Sequence, residues 1–415
     1  MTPGNPGRLI RSLAALVLLG AAVLPAALEV AGPAPFAVIG PASGQFTDRA
    51  VPPHSGAGPV AARLRGAGAA PTVDIRRTGD PANRITLVLL GDGYTANQQE
   101  LFRQQADQSW RSLMEIEPFR TYQGFFNIRR VEVVSPVSGI AEGDSKGRKP
   151  GTPLGMHFWC EGTARLLCAD EAATARYAGA GEGPQYLIAL ANSTEYGGAG
   201  GTGVTTLSGG SSDAGRIIQH EIGHTVGDLG DEYDSAPSDA DYPNLSTQGA
   251  DVMLRDHLKW WRWLGAQSPD GGSPIGAYRS ANGIYRPTAD SVMRTLGGTY
   301  NLPSREAIIE QIYRRLSPLD GASPAPGDVA GRPRLAVRPL ALAGPRQLQV
   351  DWQVDGRPVE PQAADRSWYD PADLTLAPGQ KVTVTATVRD ATDWVRDEAF
   401  RDQHMTRTVR WVLKG

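Results

Sequence analysis

The segment "HEIGHTVGDLGDEYD", residues 220–234, combines two histidines with five acidic residues. On an α-helix, residues four positions apart lie on one face, so His220 and His224 can direct their imidazoles to one point. The apolar residues around the pair recur at helical spacing and would form a buried face: Ile217, Ile218 and Ile222. The segment therefore predicts a core helix that carries two convergent histidines.

The pattern His-Glu-x-x-His is typical of a zinc site with an adjacent base. His220 and His224 would bind the metal, and Glu221 is placed to take a proton from a metal-activated water. The chain has six histidines in all, so a chance match to this spacing is rare. Two surface histidines on an ordinary helix are the less favoured interpretation.

The third ligand is marked less clearly. In the extended zinc-peptidase motif the chain turns at a glycine seven residues after the first histidine, which Gly227 matches, and a His or Asp ten residues after that histidine completes the site. Gly230 stands there and has no side chain to offer. Asp231 needs only a small loop adjustment and is the preferred ligand. The alternatives are Glu232, then Asp228, Asp234 and the distant His157 and His257.

The N-terminus predicts export. Arg8 and Arg11 precede an apolar run that ends in small residues near 28, which is typical of a signal peptide over residues 1–28. A retained membrane anchor is the alternative. Residues 29–72 are rich in Ala, Pro and Gly and predict a disordered linker or pro-segment.

Two cysteines, Cys160 and Cys168, lie eight residues apart. In an exported protein this pair predicts a local disulfide, with two unpaired buried thiols as the alternative. The net charge of −3 gives no reason to expect nucleic acid or an anionic membrane as a partner. We expect a secreted monomer without stable membrane insertion after signal cleavage.

Residues 73–318 have the pattern of a mixed α/β (α+β) domain. Apolar runs typical of buried strands and one amphipathic helix occur in this order: strand 85–90, helix 97–119, strands 125–136 and 185–192. The glycine-rich stretch 197–212 predicts a loop or edge strand near the site, and 304–316 predicts a helix. The order of elements predicts a mixed sheet with an active-site helix.

Beyond residue 318 the pattern changes again. Residues 319–333 are rich in Pro and Gly and are interpreted as a linker. Residues 334–415 contain short alternating segments: 347–359 with a hairpin turn at Asp355-Gly356, 380–390 and 406–414. They predict a small all-β, Ig-like sandwich as an accessory domain.

Several blocks resemble the IgA-peptidase family of metallopeptidases on a metzincin-like scaffold, including "RITLVLLGDGYTANQQELF", "QHEIGHTVGDLGDEYD" and "GAYRSANGIYRPTADSVMR". The similarity covers most of 75–316, in the family's order. It implies that His220 and His224 bind zinc, that Glu221 is the catalytic acid/base and that Asp-Glu-Tyr 231–233 belongs to the metal site. Met293 matches the family's methionine turn. Asp228, Leu302 and Ser304 depart from the family pattern.

The expected function is that of a secreted zinc-dependent endopeptidase acting on a protein or peptide. Tyr233 or Tyr285 is a candidate donor to the transition state, and either is as readily a packing residue. Another exported zinc hydrolase, such as a cell-wall amidase, and a non-catalytic zinc-containing binding protein are the alternatives. Glu221 argues against the last, because a structural site needs no base.

Overall fold

The computed structural model describes residues 70–141, 151–201, 203–234 and 241–415. All of these residues belong to one compact unit. The predicted signal peptide and residues 29–69 of the predicted linker or pro-segment lie outside the described residues. Within the described ranges, no helix combines the length and apolarity that crossing a membrane requires.

A mixed sheet forms the centre of the N-terminal half. Its strands in the described residues are β1 (Thr72–Arg76), β2 (Ile85–Asp92), β3 (Phe126–Val131), β4 (Gln185–Ala191), β5 (Gly198–Ala199) and β6 (Val204–Ser208). The spatial order is β1-β3-β2-β4-β6-β5. The four inner strands are parallel, and β1 and β5 are antiparallel edge strands. Every residue of β2 is buried, as expected for a parallel strand covered on both faces.

Helices cover this sheet and build the core around the histidine segment. The described α-helices are α1 (Gln99–Leu113), α2 (Glu171–Ala178), α3 (Ala214–Gly227), α4 (Ala250–Asp256), α5 (Leu302–Tyr313) and α6 (Glu398–His404). Helix α3 packs against both α1 and α5. Helix α6 packs instead against the C-terminal strand at residues 406–414, so the prediction that residues 334–415 are all-β is wrong.

The strands and helices predicted between residues 85 and 316 are confirmed, but their ends differ by up to six residues. The helix predicted over 97–119 ends at Leu113, and the strand predicted over 125–136 ends at Val131. The glycine-rich stretch 197–212 carries the edge strand β5, as predicted, but it also carries the inner strand β6, which was not predicted.

The C-terminal residues form further sheets. A short antiparallel ribbon pairs β7 (Tyr278–Arg279) with β8 (Tyr285–Arg286). The described strands that follow are β9 (Leu319–Ser323), β10 (Gly327–Ala330), β11 (Leu335–Pro339), β12 (Gln349–Val354), β13 (Arg357–Val359), β14 (Trp368–Tyr369), β15 (Lys381–Arg389) and β16 (Thr406–Lys414). One sheet has the order β10-β16-β15-β12-β13 and a second has the order β14-β11-β9. The hairpin β12–β13 turns at Asp355 and Gly356, both at positive φ, as predicted.

The interpretation of residues 319–333 as a linker is wrong, because they carry β9 and β10. Strand β9 pairs antiparallel with β11, and β10 pairs parallel with β16. Backbone hydrogen bonds build such short strands whatever the side chains, so a Pro- and Gly-rich composition does not reveal them. Arg84, at the start of β2, also binds Asp320 of β9 through two contacts of 2.6 and 2.8 Å.

A buried carboxylate joins the two halves of the described chain. Asp390, just after β15, is fully buried and accepts hydrogen bonds from Tyr122 Oη at 2.7 Å and Tyr313 Oη at 2.8 Å. Tyr122 precedes β3 and Tyr313 ends α5, so the C-terminal strands are fixed directly to the scaffold of the histidine helix. One apolar cluster also runs from Ile85 to Leu413.

Replacement of Asp390 by Ala should lower stability, because the buried Tyr313 hydroxyl loses its acceptor at a cost of about 1–3 kcal/mol. The Tyr122 hydroxyl also loses Asp390 and keeps Thr392 Oγ1 at 3.2 Å. Urea unfolding followed by fluorescence measures the effect. Asp402→Ala, at an exposed carboxylate in α6, is the control and should leave the midpoint unchanged. Equal midpoints for the two variants would contradict the role assigned to Asp390.

Candidate metal centre

Helix α3 brings the histidine pair into the interior of the protein. Ile217, Ile218 and Ile222 are fully buried on this helix, which holds its axis against the central core. His220 is fully buried and His224 nearly so, and their Nε2 atoms lie 3.2 Å apart. The predicted convergence of the two imidazoles is therefore present in the structure.

Asp231 completes a triangle with the two histidines. Its Oδ1 lies 3.1 Å from His220 Nε2 and 3.3 Å from His224 Nε2. Among the described residues, these three side chains form a group whose ligand atoms lie close enough together to hold a metal ion. Ligands about 2.0–2.1 Å from a tetrahedral zinc ion lie about 3.3 Å from one another. The donor atoms and their spacing therefore fit a zinc-sized cation.

The opposite ring nitrogens are held by backbone carbonyls. His220 Nδ1 lies 2.8 Å from the carbonyl oxygen of Val292, and His224 Nδ1 lies 2.6 Å from that of Leu229. A carbonyl accepts only, so each Nδ1 carries a proton, and in the neutral imidazole each Nε2 presents a lone pair. This arrangement orients histidines for metal binding.

Met293 lies beneath the helix in a tight turn. Arg294 and Thr295 donate backbone hydrogen bonds to Ser291, and the Met293 side chain is fully buried. A Cβ atom at Gly223, between the two histidines, would lie only 2.7 Å from Met293 Sδ. The predicted turn therefore supports α3 directly below the histidine pair, and glycine at 223 permits the close approach.

The chain reverses one residue later than predicted. Gly227 is the last helical residue, and Asp228 takes the left-handed conformation at φ 54°, which aspartate tolerates better than most residues. Gly227 is needed for space, because a Cβ atom there would lie 2.6 Å from Ile308 Cγ1. At Gly230 a Cβ atom would meet Leu245 and Tyr242 at 2.6 Å. Position 230 thus leaves no room for a ligand side chain, and Asp231 reaches the site instead.

The three candidate ligands control one another's protonation. Burial disfavours the charged form of each histidine, but Asp231 outweighs it, so the pKa of His220 and of His224 is raised. Burial likewise opposes ionisation of Asp231, but the two imidazoles hold its pKa at about 2. Asp231 is therefore an anion ready to accept a cation, and protons compete with that cation for the histidines.

Glu221 lies beside the triangle without belonging to it. Its side chain is fully buried, and neither carboxylate oxygen has a hydrogen-bond partner of good geometry among the described residues. Burial, reinforced by Asp231, raises the pKa of Glu221 to about 8. A Cβ atom at Gly200 would lie 2.9 Å from Glu221 Oε2, so the chain leaving β5 packs closely against this carboxylate. A buried carboxylate with a raised pKa beside three convergent ligands is the arrangement a general base requires.

The two candidate tyrosines lie in different places. Tyr233 Oη donates to Asp231 Oδ2 at 3.0 Å, so it orients the carboxylate of the candidate ligand. The same carboxylate and the burial of the ring raise the pKa of Tyr233. Tyr285 pairs with Ser246 and packs against the cluster that contains Met253 and Trp260. Its described contacts are those of a packing residue.

The other candidate ligands have different partners. Asp234 lies 3.3 Å from Arg294 Nη2 and 3.7 Å from Arg286 Nη1. His257 stacks on Trp261 with ring centroids 4.1 Å apart, and His157 Nδ1 lies 3.1 Å from the Gly155 carbonyl oxygen.

Glu232 is buried and accepts hydrogen bonds from Asn244, Ser291 and Asn301. Its pKa is raised by burial, against the effect of these three donors. The alternatives considered from the sequence therefore lie outside the triangle.

Cys160 and Cys168 form a disulfide in the structure. The loop that it closes borders the site, because Leu166 pairs with Gly198 of β5. A Cβ atom at Gly198 would lie 3.6 Å from Glu221 Oε1. The disulfide thus fixes a segment that covers the edge of the sheet beside the candidate base.

The sequence reasoning missed the groups that hold the ligands. The carbonyls of Val292 and Leu229 carry no signal in a side-chain pattern. Asn244 has no local signal either. Asn301 was detectable as a helix cap, because it precedes Leu-Pro at the start of α5 and its side chain accepts from Ser304 N.

Two imidazoles, one carboxylate and an adjacent base are typical of a metal-dependent hydrolase built on an α/β scaffold. The model of the family described as IgA Peptidase M64 matches residues 73–270. Residues 73–270, which contain α3 and Asp231, therefore match this peptidase family, whereas Met293 and α5 lie beyond the matched segment. A comparison with curated proteins found no match.

Asp231→Ala should abolish stoichiometric binding of a divalent metal, because two neutral imidazoles remain without their anionic partner. Metal content of the purified full chain, measured by mass spectrometry after dialysis, tests this. Asp228→Ala is the matched control, since Asp228 is an exposed acid of the same segment, and should keep its metal. Normal metal content in the Asp231 variant would exclude it as a ligand.

Proposed function

We propose that this chain is a secreted zinc-dependent endopeptidase. The match of residues 73–270 to a peptidase family supports a protein or peptide substrate. The observation that carries the proposal further is the buried Glu221 carboxylate beside the triangle of His220, His224 and Asp231. Catalytic zinc sites use three protein ligands and keep a fourth position for water or substrate.

The reaction proposed is hydrolysis of a peptide bond. When bound, Zn²⁺ supplies a Lewis acid that polarises the carbonyl and lowers the pKa of water to about 7. Glu221 accepts the proton of the water whose oxygen attacks the carbonyl carbon. Glu221 then delivers that proton to the amide nitrogen as the carbon–nitrogen bond breaks, which leaves a carboxylic acid and an amine.

The remaining residues prepare this step. Val292 and Leu229 hold the two imidazoles through their backbone carbonyls. Tyr233 holds the second oxygen of Asp231, so it acts first on the ligand. To donate to the substrate oxygen, Tyr233 would have to leave Asp231.

The wider setting agrees with the proposal. The helix above a buried methionine turn supports a metzincin-like scaffold. The packing of Trp352 against Tyr369, with ring centroids 5.8 Å apart, joins the two C-terminal sheets and supports a sandwich, although β10 pairs parallel with β16. The Cys160–Cys168 disulfide is typical of an oxidising compartment and supports secretion.

Glu221→Gln should retain zinc and lose turnover by about 10²–10⁴-fold, because the glutamine cannot carry the proton. Hydrolysis of casein or a peptide library and zinc content are measured on the same preparations. The same change at the exposed Glu398 should alter neither quantity. A fully active Glu221 variant would contradict the mechanism.

Removal of the metal separates the alternatives. A chelator should stop peptide hydrolysis, and added Zn²⁺ should restore it. Zinc binding without hydrolysis of any peptide, but with cleavage of cell-wall peptidoglycan, would favour an amidase. Zinc binding with neither activity would favour a non-catalytic zinc protein.

A further inference from the structure

A second buried carboxylate lies directly after Asp231 and takes no part in the triangle. Glu232 is 1% exposed, and its two oxygens are satisfied by side chains from three separate segments. Oε1 accepts from Asn244 Nδ2 at 2.9 Å and Asn301 Nδ2 at 3.1 Å, and Oε2 accepts from Ser291 Oγ at 2.7 Å. Burial of a carboxylate is costly unless donors of this kind compensate it, so the arrangement calls for a reason.

These donors connect Glu232 to the elements around the metal centre. Ser291 opens the turn that contains Met293 and whose residue Val292 holds His220. Asn301 is the N-cap of α5, which packs against α3. The backbone N–H of Glu232 also donates to the Met293 carbonyl at 2.9 Å. Residue 232 is therefore tied to the methionine turn through both its side chain and its backbone.

Asn244 holds the residue on the other side of Asp231. Its Oδ1 accepts from Gly230 N at 2.8 Å, and its Nδ2 donates to the Gly230 carbonyl at 2.8 Å as well as to Glu232. Both sequence neighbours of Asp231 are thus fixed by one buried network. A loop residue that must reach two imidazoles to within a few tenths of an ångström needs such support.

Building on the proposed metal centre, we propose that Glu232 is a positioning residue: with Asn244, Ser291 and Asn301 it locks Asp231 in register with His220 and His224. The network has this role because position 230 leaves no room for a ligand side chain and the ligand must come from the next residue. The lock acts through hydrogen bonds, and the charge of Glu232 is not needed for it. The affinity of the site for zinc then depends on a side chain that does not touch the metal.

Two substitutions at one position separate hydrogen bonding from charge. Glu232→Ala removes every acceptor and should weaken zinc binding by about 10- to 100-fold, the usual effect of losing a group that orients a metal ligand. Glu232→Gln keeps one acceptor oxygen for the two asparagines, and its amide can donate to Ser291 Oγ. The glutamine variant should therefore bind zinc almost as tightly as the wild type.

The dissociation constant for Zn²⁺ is measured on the full chain by competition with a chelator of known affinity, below the Tm of every variant. Glu306→Ala is the control. Glu306 is a half-buried carboxylate of α5 that accepts from Trp263 Nε1 and Arg396 N. Its loss should lower Tm and leave the zinc affinity unchanged, whereas Glu232→Ala should change both.

Equal zinc affinity in the wild type and Glu232→Ala would overturn the positioning role, as would a glutamine variant as weak as the alanine variant. If Glu232→Ala does not fold, Ser291→Ala removes one of the three donors and should still weaken zinc binding measurably; an unchanged affinity would overturn the proposal. A wild-type chain that bound no zinc would instead refute the proposed metal centre itself.

Discussion

The convergence of three donor atoms in a buried position is the constraint on which the rest of the site depends. His220, His224 and Asp231 lie 3.1–3.3 Å from one another, and burial would penalise their charges if they did not compensate one another. A helix can supply the first two donors because its repeat places residues four apart on one face. The third must come from a segment outside the helix, and neighbouring elements have to hold that segment.

Much of the surrounding structure follows from this requirement. Gly223, Gly227 and Gly230 are three positions where a Cβ atom would collide with neighbouring groups. Their small size lets the methionine turn, α5 and the loop after α3 approach the ligands closely. The C-terminal strands contribute as well, because Asp390 fixes the end of α5 through Tyr313.

The sequence predicted the elements with strong periodicity and missed what depends on contacts between distant segments. Strand β2 was predictable because its whole run is apolar, and helix α1 was predictable because its apolar residues recur on one face. The strands within 319–333 were not, since their composition resembles a linker. The sequence favours Asp231 over five other acidic or histidine positions, but it does not predict the shift of the turn by one residue to Asp228.

The sequence alone determined the helix, the pair of histidines and the adjacent Glu221, because a local repeat sets their geometry. Tertiary structure decided that Asp231 reaches the histidines, that carbonyls orient both rings and that Glu232 lies outside the triangle. Those outcomes rest on hydrogen bonds between residues such as Glu232, Asn244 and Asn301, which are distant along the chain. No local pattern encodes contacts of this kind, because the fold must first bring the partners together.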